Sequence, residues 1–84
     1  ITRLPLYFYR DRDKREIDLL IELGDSLYPI EIKHGANPNA SMAKHFSALD
    51  ALPGKKIENG VILCRYERKM WLKDNLVALP IEYI

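Results

Sequence analysis

The sequence contains one cysteine, four glycines and no apolar stretch near the ~20 residues of a membrane-spanning helix. A lone cysteine excludes an internal disulfide. Cys64 lies in the apolar run Gly60-Val61-Ile62-Leu63-Cys64 and reads as a reduced, buried thiol, which predicts a cytoplasmic setting. The start, Ile1-Thr2-Arg3-Leu4, lacks the basic-then-apolar pattern of an export signal. A glycine-rich phosphate loop is missing, as is paired Cys/His zinc spacing, so any ATPase chemistry must lie outside this stretch. Asp11-Arg12-Asp13 begins like a calcium loop, but the glycine and closing glutamate are not at the required offsets. Net charge is nearly absent as well: 13 basic against 12 acidic side chains leave +1.

The distribution of charge is more informative than its sum. From Glu16 to Glu31 every charge is acidic, whereas Lys55 to Lys73 carries six basic residues against Glu58 and Glu67. With 84 residues, 48% hydrophobic and 30% charged, the chain has the composition of one small folded domain. It opens without an initiator Met inside what reads as a strand, which predicts a fragment with an upstream part.

Leu4 to Arg10 is apolar and aromatic and reads as a strand running into a charged turn, Asp11 to Arg15. Glu16 to Leu23 alternates, with Ile17, Leu19, Ile21 and Leu23 on one face and Glu16, Asp18, Leu20 and Glu22 on the other. Gly24-Asp25 suits a two-residue hairpin loop, because Gly accepts positive φ freely and Asp tolerates it. The return strand is Ser26 to Lys33, with Tyr28, Ile30 and Ile32 as its apolar face. Met42, Phe46, Leu49 and Leu52 then predict one helix over Ala40 to Leu52, capped by Asn37 or Asn39 and ended by Pro53-Gly54. Gly60 to Arg65 reads as a central strand, reached by that crossover and paired in parallel. Lys69 to Lys73 and Asn75 to Ile84 read as edge strands or a tail, since Pro80 interrupts the second.

A two-residue loop makes cross-strand partners sum to forty-nine, which sets Asp18 opposite Glu31 and Glu16 opposite Lys33 on one face. Facing carboxylates resist joint ionisation unless a cation, water or shared proton relieves them. Mg²⁺ or Mn²⁺ would do so, bound by Asp18 and Glu31 with the backbone carbonyl of Ile32 as a further oxygen. Such an ion polarises a phosphodiester, and a Lys33 ammonium beside it orients the attacking water and offsets transition-state charge.

Asp18, twelve intervening residues and Glu31-Ile32-Lys33 resemble the signature of the PD-(D/E)xK nuclease superfamily. More narrowly, Tyr9-Arg10-Asp11, Arg15-Glu16-Ile17-Asp18-Leu19-Leu20-Ile21-Glu22 and Tyr28-Pro29-Ile30-Glu31-Ile32-Lys33 are similar to the nuclease-like C-terminal domain of a group of prokaryotic AAA-type ATPases. The resemblance implies an α/β fold: a restriction-endonuclease-like mixed β-sheet with a crossover helix, the first helix of the core missing from this fragment. It implies one domain over residues 1–84, with catalytic Asp18, Glu31 and Lys33, and an upstream ATPase domain in the same polypeptide. The expected function is metal-dependent cleavage of DNA phosphodiesters. The alternative is a catalytically inactive nucleic-acid-binding or protein-interaction module of that ATPase.

DNA is the expected partner, met through phosphate contacts by Lys44, Lys55, Lys56, Lys69 and Lys73. No membrane partner is expected, and self-association is left open. Trp71, among Arg68, Lys69 and Lys73, suits either stacking on a base or burial at a sheet edge. His34 reads as a strand-end residue, and His45 as a helix residue that needs only a hydrogen-bond partner.

Overall fold

The computed structural model describes residues 6–81. Seven strands form one mixed sheet: β1 (Leu6–Arg10), β2 (Glu16–Leu23), β3 (Ser26–Ile32), β4 (Lys56–Ile57), β5 (Gly60–Cys64), β6 (Met70–Lys73) and β7 (Leu76–Pro80). Their order is β1-β2-β3-β5-β7-β6, with β4 beside β3. The α/β expectation therefore holds at the level of a small mixed sheet with a helical crossover. The expected first strand begins at Leu6 in the structure, and Leu4 and Pro5 lie outside the described residues, as do residues 82–84 of the expected last segment.

The β2–β3 hairpin follows the arithmetic of its loop. Leu23 pairs with Ser26, Glu22 with Leu27, Ile21 with Tyr28, Leu20 with Pro29 and Leu19 with Ile30. Gly24 takes φ +60°, the left-handed conformation the tight turn demands. The alternation of β2, however, is broken. Between Tyr7 and Tyr9 β1 advances two residues while β2 advances three, from Leu20 to Ile17, so β2 carries one extra residue around Asp18 and Leu19. This bulge moves Ile17 to the face that Leu20 occupies, and both are buried with Leu27 and Leu49. Glu16 is thereby turned away from Lys33 and pairs with Arg10 at 3.5 Å, which corrects the expected Glu16–Lys33 pairing.

The crossover lies on the Leu20, Leu27, Pro29 face, not as a single α-helix but as two 3-10 segments, Ala40–Ala43 and Phe46–Ala51. Asn39 caps the first, accepting from the Ser41 amide at 3.1 Å. The bonds Met42 N–H to Asn39, Lys44 to Ser41, Ala48 to His45 and Leu52 to Leu49 all span three residues. Phe46, Leu49 and Leu52 recur at that interval, so the tighter coil keeps all three against the sheet. Leu49, fully buried, contributes about 1.5–3 kcal/mol by leaving water. Phe46 joins this cluster to a second one of Ala43, Ile62, Cys64, Leu76 and Ala78.

β5 pairs in parallel with β3 and β7, as its unbroken apolar run requires. β7 is an inner strand, not an edge or tail, because Pro80 sits at its last position, opposite Cys64, and removes no bond from its middle. The edges are β1 and β6.

Candidate active site

The β2–β3 ladder stops at Leu19 and Ile30, and beyond it the two expected carboxylates replace backbone pairing. The Asp18 amide donates to Glu31 Oε1 at 3.2 Å, and the Ile32 amide donates to Asp18 Oδ2 at 2.9 Å. Each carboxylate is thus held by the opposite strand. Lys33 Nζ stands 3.6 Å from Glu31 Oε2, and its own amide donates to the Leu63 carbonyl at 2.8 Å, tying the Glu31-Ile32-Lys33 stretch to β5. Asp18, Glu31 and Lys33 are therefore brought together.

Glu31 is 7% exposed, the one charged residue buried among those described. Desolvation pushes its carboxyl above the usual glutamate range and the Asp18 charge adds to this, while the Asp18 amide and the Lys33 ammonium oppose it. A buried carboxylate that resists ionisation calls for positive charge. In donor chemistry the pair fits a divalent cation of the Mg²⁺ kind, which takes oxygen from one or two carboxylates and keeps several waters. Among the described residues no cluster of three or more His, Cys, Asp or Glu forms a larger ligand set.

Two interactions the sequence did not single out brace this end of the hairpin. Asp11 accepts from the Asp13 and Arg15 amides, both at 3.0 Å, and from Arg15 Nε at 2.8 Å, so the charged turn before β2 closes on one side chain. Although partial desolvation raises its pKa, these Arg15 and Asp13 bonds outweigh it and hold Asp11 below the ordinary aspartate value. An acid followed four residues later by Arg is the available signal. His45 Nδ1 lies 3.2 Å from the Glu16 carbonyl, stitching the crossover to the start of β2. Nothing in the sequence marks that bond, which spans 29 positions.

The five candidate lysines do not form one patch. Lys55 pairs with Glu22 at 2.5 Å and Lys56 approaches Glu58 at 3.8 Å. The hydrogen-bonded Glu22 carboxylate raises the pKa of Lys55, and Lys55 lowers that of Glu22 in return. Lys69 stands over the Trp71 ring at 5.3 Å. Lys44 and Lys73 alone share a feature, a cleft of about 500 Å³ floored by Pro29, Phe46 and Gly60. His34 is exposed just beyond β3. Among the described residues no helix is long and apolar enough to cross a membrane.

A family model described as "Domain of unknown function (DUF4143)" matches residues 2–84. Two curated relatives, uncharacterized proteins Mb2031c of Mycobacterium bovis and Rv2008c of Mycobacterium tuberculosis, are each 30% identical to the chain over 80 residues. The match covers 95% of this chain but only 17% of each relative. No solved structure matches.

Proposed function

This chain belongs to the DUF4143 family, and from the geometry of its β2–β3 site we propose that it is a metal-dependent nuclease-type domain acting on DNA phosphodiesters. The observation that carries the reading is the crossed bonding of Asp18 and Glu31 where β2 and β3 part, with the Lys33 ammonium beside Glu31. The proposed ligands of Mg²⁺ or Mn²⁺ are Asp18, Glu31 and the Ile32 carbonyl. When bound, the ion supplies polarisation of the phosphodiester and acidification of water. Glu31 would hold the cation as its anion, so the ion takes the place of the proton that desolvation favours and relieves the buried charge. Asp18, held through Oδ2 by the Ile32 amide, keeps Oδ1 for the same purpose. Lys33 orients the attacking water and offsets charge that grows on the phosphoryl oxygens. The upstream ATPase implied by the family resemblance belongs to the same proposal.

A second reading, a non-catalytic nucleic-acid-binding or protein-interaction module, is favoured by the burial of Glu31 and by the amides that already satisfy both carboxylates. Calorimetric titration with Mn²⁺, paired with nicking of supercoiled DNA, decides between them. The nuclease reading expects binding that Asp18→Asn or Glu31→Gln abolishes. It also expects Lys33→Ala to keep the ion and lose nicking. A folded protein that neither binds Mn²⁺ nor nicks DNA leaves the interaction module standing.

A further inference from the structure

The edge strand β6 contains a second bulge. From Trp71 to Lys73 it moves two residues while its partner β7 moves one, from Val77 to Leu76. Strict alternation would set Lys73 on the face of Trp71. Instead Lys73 stands opposite Leu76, on the crossover face where Leu72 also packs. There it lines the cleft of about 500 Å³ together with Asn75 from the following turn. The facing wall comes from the crossover. Lys44 and His45, between the two 3-10 segments, keep helical backbone angles, so the coil continues through them. Lys44, Ser47 and Asp50 recur every third residue, and side chains at that interval eclipse in a 3-10 coil, so the three form one row along the cleft. At 3.6 residues per turn the row would wind away from it. Phe46 lies against the bare backbone of Gly60 and gives the floor an aromatic ring.

The charges of the cleft are sorted by end. The crossover begins over β5 and β7, where Ala43 clusters with Ile62, Leu76 and Ala78, and finishes over β2 and β3, where Leu49 clusters with Ile17, Leu20 and Leu27. Lys44 follows Ala43 and shares its end with Lys73, the partner of Leu76. Asp50 follows Leu49 and shares the other end with Glu58, whose amide donates to the Leu27 carbonyl at 2.8 Å. Two ammonium groups thus stand about two strand spacings, ~10 Å, from two carboxylates. Glu58 is engaged by Ser26 Oγ at 2.7 Å and by Lys56 at 3.8 Å. Among the described residues Lys44, Lys73 and Asp50 take part in no ion pair, unlike Lys33, Lys55 and Lys56.

A ligand matched to this cleft is anionic at one end, donates hydrogen bonds at the other and is flat between. Two ammonium groups balance the charge of a phosphomonoester, about −1.5 to −2 near neutrality, better than the single charge of a carboxylate or an internal phosphodiester. A strand threading the whole cleft would carry a further phosphate onto Asp50 and Glu58, which repel it. We propose that the cleft binds one nucleotide by its terminal 5′-phosphate, with the phosphate on Lys44 and Lys73, the base against Phe46 and its N–H edge on Asp50. Guanine suits Asp50 best, because its ring N–H and amino group can donate together to one carboxylate. Thymine offers a single N–H between two carbonyl oxygens, which the carboxylate repels. A free nucleotide and a 5′-phosphorylated strand end share this chemistry. The site needs neither metal nor cleavage at Asp18 and Glu31, so its failure would leave the nuclease reading untouched.

Titration of the 84-residue chain with dGMP, followed by amide chemical shifts, tests this in EDTA, where no metal can bridge phosphate to Asp18 and Glu31. Saturable shifts are expected at Lys44, Ser47 and Asn75. Deoxyguanosine, which lacks the phosphate, should bind roughly 10-fold or more weakly, as should dGMP to Lys44→Ala with Lys73→Ala. The unaltered chain should prefer dGMP to dTMP, and Asp50→Asn should lose that preference. All three side chains are exposed, so the variants should keep the amide spectrum of the folded chain. An oligonucleotide with a 5′-phosphorylated guanine that binds more tightly than dGMP supports the proposal and assigns the site to strand ends; weaker binding supports it for free nucleotides. The absence of saturable shifts in the cleft overturns the proposal. Inorganic phosphate that binds as tightly as dGMP overturns it too, by leaving the base without a role.

Discussion

Gly60 opens β5 directly beneath the Phe46 ring. A Cβ placed there would stand 2.6 Å from Phe46 Cε2, 2.7 Å from Cδ2 and 3.2 Å from a Leu76 methyl. Gly60→Ala has two opposed consequences. Replacing a glycine within a strand lowers the entropy of the unfolded chain and gains roughly 0.5–1 kcal/mol. Against this, an aromatic ring is not a flexible tip, and forcing it from a packed site costs about 1–3 kcal/mol. The steric cost prevails because Phe46 joins both core clusters, so a shift of its ring disturbs Leu49 on one side and Leu76 on the other. The net destabilisation is about 1–2 kcal/mol, a sizeable part of the roughly 4–13 kcal/mol expected for a domain of this length. At ~4–8 °C per kcal/mol, the melting temperature should fall by roughly 5–15 °C. Urea unfolding of Gly60→Ala, alone and in a Phe46→Leu background, measures the coupling. In the second background the alanine should be neutral or stabilising. An equal cost in both backgrounds would refute the assignment of the clash to Phe46, and no cost in either would refute the close approach itself.

The raised pKa of Glu31 has a definite sign. Folding favours its protonated form, so its contribution is complete below the ordinary glutamate value and is lost as pH rises through the raised one. Without divalent metal, Glu31→Gln should therefore gain stability over the unaltered chain as pH climbs toward neutrality, read as the difference between their melting temperatures at each pH. A constant difference would refute the desolvation argument. For nucleic acid, Lys44→Ala with Lys73→Ala should reduce the dependence of log affinity on log salt by up to about 1.8, at ~0.9 for each phosphate no longer neutralised. Lys55→Ala with Lys56→Ala should change it less, because Glu22 and Glu58 already engage those ammonium groups. The reverse ranking would move the DNA path away from the cleft.

The hairpin is legible in the sequence because the Gly24-Asp25 loop fixes register by local geometry, and the juxtaposition of Asp18, Glu31 and Lys33 follows from that register. The bulge is not. An extra residue in β2 is defined only by its partner β1, and alternating apolar residues at Ile17 and Leu19 look the same whether or not the strand is interrupted. That single slip exchanges the surroundings of Glu16 and Ile17. The crossover reads as an α-helix because Met42, Phe46 and Leu49 fit 3.6 residues per turn almost as well as three, and only the bonds spanning three residues decide. Which side of the sheet it covers is illegible in principle, since β3 is apolar on both faces: Leu27 and Pro29 on one, Tyr28, Ile30 and Ile32 on the other. The pairing states of the lysines depend on Glu22 and Glu58, distant or unremarkable in sequence, so a basic segment can be read but not a basic surface.

The strand order also has a consequence in time. β1, β2 and β3 follow one another through short turns, so their pairing closes only small loops. β5 reaches β3 after the whole stretch from Ile32 to Gly60 has been gathered in, and β7 can join only when β5 is in place. Closure of the larger loop must come before its pairing rewards it, so the antiparallel half is expected to form first and the parallel half to follow. Pulse-labelled amide exchange would register that order as earlier protection at Ile21 and Tyr28 than at Val61 and Val77. Asp18 and Glu31 would then meet while still in water, and Glu31 would lose its hydration late, when the crossover settles over the finished sheet.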